Sequence, residues 1–266
     1  AKAIQMVTVN CARAFNLDRE IGVLAPGRRA DVNITTGPED FRVLTTFAGG
    51  RQITDNGKLL VRYETAEHEP CVLNTMHLKN PITADSFKIH APAGAKKVKA
   101  LVMDTLPYMP FTNRRDVELP VVDGVVQCDV EQDVLYIAQV ERHGKNGNVG
   151  KAFMGGFHIR GGAMASSVGH DNHNIIVMGD SFEDMALAVN RCVELGGGQV
   201  IVRDGKVAAE VAYPICGLLS DLPLDELAEK KKELNRVAHA MGTEIAIPFM
   251  LSGGDPCLRH YRLRIH

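Results

Sequence analysis

The sequence predicts an α/β protein in two parts: a short strand-and-turn module, then a larger, mainly sheet half that carries two long helices. Three observations lead there. Strand-sized apolar runs are joined by Asn56-Gly57, Asp123-Gly124 and Asp204-Gly205, dipeptides that accept the positive φ a tight hairpin needs. Two other stretches space their apolar residues as a helix does: Phe182, Met185, Ala186, Val189, Cys192 and Val193, then Leu224, Leu227, Leu234, Val237 and Met241. Between the parts, residues 63–70 turn polar and acidic, with Glu64, Glu67, His68 and Glu69, which marks a domain boundary.

With 266 residues and 45% hydrophobic content, the chain can bury a sizeable core. A formal net charge of −2 gives no electrostatic pull toward nucleic acid or an anionic membrane, and Lys96-Lys97 and Lys230-Lys231-Lys232 read as solvated faces. The lack of tryptophan argues further against a base-stacking platform. The cysteines at 11, 71, 128, 192, 216 and 257 show no C-x-x-C, so neither a disulfide framework nor a structural zinc site is expected, and a reduced, cytoplasmic setting fits. Cys192 and Cys216 read as core. No charged-then-apolar leader is expected at the start, and the longest apolar runs are strand-sized, far short of a membrane span.

Taken in order, residues 2–15 place Ile4, Val7, Ala12 and Phe15 at mixed helical spacing before Asn16, which predicts a short helix. Residues 32–34, 41–47 and 51–53 read as strands turned by Gly49-Gly50 and Asn56-Gly57. From Cys71 onward the strand candidates are residues 87–90, 97–103, 117–122, 125–129 and 134–140. Residues 175–178, Ile-Ile-Val-Met, form a buried strand leading into the first long helix, capped by Ser181 with Asp184 and stopped at Gly196. A hairpin of residues 199–202 and 207–211 follows, then the second helix over 221–241, ended by Gly242.

The candidate chemistry gathers in residues 153–180, where glycines alternate with polar groups in a way that packing does not require. Ser166, Ser167, His170, Asp171, His173 and Asn174 stand between Gly161-Gly162 and the buried strand. Two readings stand for this loop. In one, its imidazoles and carboxylate face a substrate or hold a catalytic neighbour; in the other, they form a buried polar network that satisfies loop backbone. A metal held by His170 and His173 is disfavoured, because spacing suggests no further ligands. Arg142-His143 follows an apolar strand and is placed at a strand end near the site, with a surface pair between Arg142 and Glu141 as the alternative.

The run Gly161-Gly162-Ala163-Met164-Ala165-Ser166-Ser167-Val168-Gly169-His170-Asp171-Asn172-His173-Asn174, continuing to Gly179, resembles the carboxy-terminal domain of bacterial adenine deaminases, of the amidohydrolase superfamily. Further agreement comes in order from Glu141-Arg142-His143-Gly144, residues 184–190, Gly196-Gly197-Gly198, Asp204-Gly205-Lys206 and residues 214–218. Residues 22–32 resemble the segment by which amidohydrolases pass from the last barrel helix into a composite β-sandwich. The resemblance stops at Met250, after which the chain is basic and irregular.

The resemblance implies a chain with the catalytic barrel largely absent: residues 1–20 as a terminal barrel helix, 21–70 as a partial β-sandwich, and 71–266 as a mixed-sheet α/β domain. It implies a parent that hydrolyses adenine to hypoxanthine and ammonia with a divalent metal, manganese or iron, none of it bound by this chain. No H-x-H pair occurs, so the barrel's ligands are not matched. The substrate-side candidates are Arg142, His143, Ser166, Ser167, His170, Asp171, His173 and Asn174, with no catalytic residue assigned. The half-sandwich should leave open edges and favour a homodimer. A non-catalytic binding or oligomerisation module, and chemistry on another nucleobase, are the alternatives.

Overall fold

The computed structural model describes residues 1–62, 67–106, 112–170 and 172–249. Asp171, the boundary residues 63–66 and the tail from Met250 therefore lie outside the described residues. The chain divides into two compact units, Ala1–Glu67 and His68–His266.

In the first unit the expected helix forms as two short ones, α1 (Lys2–Val7) and α2 (Val9–Ala14). They break at Thr8, at φ −125° and ψ −99°, where the side-chain hydroxyl donates to the Ile4 carbonyl at 2.6 Å and competes with the helical ladder. A four-stranded antiparallel sheet follows in chain order: β1 (Val32–Thr35), β2 (Val43–Ala48), β3 (Arg51–Asp55) and β4 (Lys58–Leu59). Strand β2 starts later than residues 41–47 suggested, because Phe41 takes a positive φ of 44°.

The second unit is built on a nine-stranded sheet of β5 (Lys97–Thr105), β6 (Thr112–Val122), β7 (Val125–Val126), β8 (Leu135–Val140), β9 (Val149–Gly155), β10 (Gly162–Ser166), β11 (Ile175–Gly179), β12 (Gly198–Arg203) and β13 (Lys206–Ala212). Their spatial order is β13-β12-β10-β11-β8-β9-β5-β6-β7, antiparallel throughout except for the parallel pair β5 and β9. Helices α3 (Phe182–Glu194) and α4 (Leu224–Ala240) belong to separate cores. Alternation along β11 shows the two faces: Ile175 and Val177 join Met185, Val189 and Cys192 of α3, while Ile176 and Met178 join Leu234 and Val237 of α4. A central strand covered on both sides reads as a continuous apolar run, as this one does. Each fully buried residue of that size contributes about 1.5–3 kcal/mol.

Two expectations need correction. Residues 87–90 are not a strand. A 3-10 turn over Ala84–Phe87, boxed by Thr83 and Ser86, ends there, and the alternation arises because Phe87 and Ile89 both point into the core. Conversely, β10 carries no strand signal of its own, since Gly-Ala-Met-Ala-Ser lacks the branched and aromatic residues that strands favour, and β9 was not expected as a strand either. The small residues are required by contact: a Cβ on Gly162 would strike the Val202 carbonyl of the neighbouring strand.

Candidate functional site

The residues singled out by sequence gather where β8 ends and the β10–β11 hairpin turns. The chain leaves β8 as Glu141-Arg142-His143, and His77 pairs with His143 as an isolated bridge, its N–H donating to the Arg142 carbonyl at 2.8 Å.

Arg142 is the centre of the arrangement and is only 2% exposed. Its Nε donates to the His173 carbonyl at 2.5 Å, Nη1 to the Thr75 carbonyl at 3.0 Å and Nη2 to the Cys216 carbonyl at 3.0 Å. One planar guanidinium thus ties together the segment before His77, the hairpin loop and the chain beyond β13. Burial pulls its pKa below the ordinary arginine value, with no carboxylate paired to it among the described residues. Gly217 is part of this fit: at φ +71°, an added Cβ would meet Nη1 at 2.9 Å.

Glu141 is not the surface partner of Arg142 that its position suggested. Its carboxylate accepts the backbone amides of His143 at 2.6 Å, Lys145 at 3.0 Å, and Asn146 and Gly147 at 3.1 Å each. Burial pushes its pKa up, but the four amides together outweigh that and hold the carboxyl below its usual range. The turn of residues 141–147 is therefore wrapped around one anion that the protein itself supplies.

The two serines are buried and internally engaged. Ser167 Oγ donates to the Gly217 carbonyl at 2.6 Å and accepts from Gly198 N at 2.8 Å. Ser166 Oγ accepts from Val168 N at 3.1 Å. Cys192 is buried against the Gly198 carbonyl and its thiol is pushed up to about 12 by desolvation, which suits a core residue and not a nucleophile. Cys216, expected in the core, is half-buried and sits at φ +56°, where its carbonyl serves Arg142.

The loop itself is held by Asn172, whose Oδ1 accepts from Asn174 N at 2.9 Å and from Gln139 Nε2 at 3.3 Å. His173, at φ +49°, donates its N–H to the Gly169 carbonyl at 2.7 Å. Asn174 Oδ1 accepts from Arg142 N at 3.5 Å. His170 is exposed, and His143, also exposed, places Nε2 2.9 Å from the Asn172 carbonyl. The structure thus brings Arg142, His143, Ser167, His173 and Asn174 into one connected unit, while Ser166 serves the backbone beside it and His170 stands at its surface.

Sequence reasoning missed Asn172 and the role of Glu141. The spacing Glu141, Gly144, Gly147 was the available signal, since two glycines soon after an acid suit a turn closed on a carboxylate. Cys216 carried no such signal, because it acts through its backbone carbonyl, and Thr75 lies far from the cluster in sequence although both its carbonyl and its hydroxyl accept from Arg142. No three of His, Cys, Asp and Glu converge as a metal-ligand group among the described residues. A shallow groove lined by Leu187, Arg191 and Glu210 lies elsewhere, and its arginine is already matched by Glu210 at 2.7 Å and Glu194 at 2.9 Å.

A family model described as the adenine deaminase C-terminal domain matches residues 110–253, and one described as the amidohydrolase family matches residues 1–53. The adenine deaminase of Clostridium botulinum is 42% identical over 263 residues, covering 98% of this chain and 44% of that protein. That of Moorella thermoacetica is 40% identical over 249 residues, 94% of this chain and 42% of its own length. The chain therefore spans less than half the length of these curated relatives. With the C-terminal family model covering more than half of its residues, the chain belongs to the adenine deaminase C-terminal domain family.

Proposed function

We propose that this chain is the carboxy-terminal part of an adenine deaminase, in which it forms a wall of the active site. The parent reaction is hydrolysis of adenine to hypoxanthine and ammonia. The observation that carries this reading is the similarity to adenine deaminases along 98% of the chain. On this reading residues 1–20 close the barrel, residues 21–70 are half of the β-sandwich, and residues 71–266 are the C-terminal domain. A divalent metal, manganese or iron, belongs to the parent. No group of three donors converges among the described residues, and on this reading its ligands belong to the barrel.

The substrate-facing elements are the exposed His170, on the loop that Arg142 fastens from behind, and the exposed His143, on the turn wrapped around Glu141. Arg142, Ser166 and Ser167 support that loop and do not touch substrate, since their polar atoms are engaged inside the fold. The same engagement favours the second reading, a non-catalytic binding or oligomerisation module. Homodimerisation through the open edges of the first unit's sheet and a cytoplasmic location complete the proposal. No described helix is long and apolar enough to cross a membrane.

The test is ammonia release from adenine by the polypeptide that joins this chain to an amidohydrolase barrel, comparing wild type with His170→Ala. Removal of an exposed imidazole should leave the thermal midpoint in place and lower turnover by about ten-fold or more. Unchanged turnover would move the loop to the module reading.

A further inference from the structure

At the end of β8, most polar side chains that could meet a ligand are already engaged. Arg142 donates to three carbonyls, the Ser166 and Ser167 hydroxyls serve the backbone, and Asn172 Oδ1 takes two donors. His143 differs. It is exposed, yet fixed at two points: its backbone N–H donates to Glu141 Oε1 at 2.6 Å, and its ring Nε2 lies 2.9 Å from the Asn172 carbonyl oxygen.

A carbonyl oxygen can only accept, so Nε2 must carry the proton in that contact. In the neutral imidazole the lone pair then resides on Nδ1. Among the described residues Nδ1 has no hydrogen-bond partner. The fold therefore supplies an acceptor whose tautomer is set by one loop and whose backbone is set by a carboxylate-wrapped turn. That is a preoriented group in a surface position, where a histidine free of such ties would sample several rotamers and both tautomers.

Resting on the reading that this face meets the substrate, we propose that His143 Nδ1 is a specificity-determining acceptor for a ring or exocyclic N–H of a nitrogen heterocycle. The ligand it selects presents a donor; an analogue with a carbonyl at the same position would face the Nδ1 lone pair with a second acceptor and be disfavoured. For adenine and its product this is the distinguishing feature, because deamination replaces an amino donor with an oxygen acceptor. His143 would hold the substrate better than the product.

Two measurements test this. On the present chain, labelled at histidine, nitrogen NMR of the neutral ring should report the Nε2–H tautomer for His143; the Nδ1–H tautomer would overturn the proposal. In the barrel-containing polypeptide, His143→Gln keeps a donor near the Nε2 position and removes the acceptor, whereas His143→Asn offers an amide oxygen near the Nδ1 position. Loss of one neutral hydrogen bond should put kcat/KM for adenine about ten-fold lower in H143Q than in H143N. Equal values or the reverse order would mean that His143 serves only to tie residue 172. A wild-type polypeptide with no activity on adenine would overturn the functional reading and the acceptor role together, and the NMR result would still decide the tautomer.

Discussion

The two units of this chain solve the problem of burial very differently. In Ala1–Glu67, Ala12 is the single buried residue among those described, while Phe15 is 76% and Leu24 80% exposed. In His68–His266, one sheet separates two cores, each covered by a long helix. Both units pair their strands into sheets with two edges each, so the ladder itself does not distinguish them. The difference is the second layer: a sheet without one gains little hydrophobic stabilisation, and a small hairpin sheet of that kind is marginal in water.

The sharpest way to break that comparison is to remove an aromatic ring from each unit. Phe153 is fully buried, so Phe153→Ala should cost about 3–5 kcal/mol in chemical denaturation. Phe15→Ala should stay within about 0.5 kcal/mol. Equal losses would mean that the first unit has a core after all.

Within the second unit, Arg142→Met keeps the length of the side chain and removes its donors. The carbonyls of Thr75, His173 and Cys216 then lose a partner, for a loss of about 3 kcal/mol. Amide exchange should rise around residues 169–175 while the centre of β11 stays protected. Uniform acceleration across the sheet would contradict a role confined to the loops.

A smaller effect is expected at Glu141, whose carboxyl is held below its usual range in the folded state. The stabilisation from such a group is present above the unfolded pKa of about 4.3 and is lost as pH falls through the lower folded value. Glu141→Gln should therefore cost about 1 kcal/mol near pH 7, and the wild-type and variant stability curves should converge in acid. A constant offset between the curves at all pH values would rule out the carboxylate as the cause.

Legibility in the sequence follows the same division between side chain and backbone. Elements whose signal is a repeating apolar stripe or a positive-φ turn were readable: α3 with its Ser181 cap, α4, and the turns at Asn56-Gly57, Asp123-Gly124 and Asp204-Gly205. Strand β10 was not, because its pattern is dictated by close contact with β12 and not by propensity. At the candidate site, the sequence located the cluster but could not assign its directions. Arg142 and Ser167 look like substrate contacts in a list of polar residues; only the fold shows that their partners are carbonyls contributed from distant positions such as Thr75 and Gly217.

The central proposal is that this chain positions and selects, while the metal-dependent chemistry of its parent resides outside it. The most direct measurement is ammonia release from adenine by the purified 266-residue chain, with and without added manganese or iron, beside the barrel-containing polypeptide. The account predicts background release from the chain alone under every metal condition and metal-dependent turnover from the joined protein. Metal-dependent release by the pure chain would contradict it, and would place ligands among its own histidines and carboxylates.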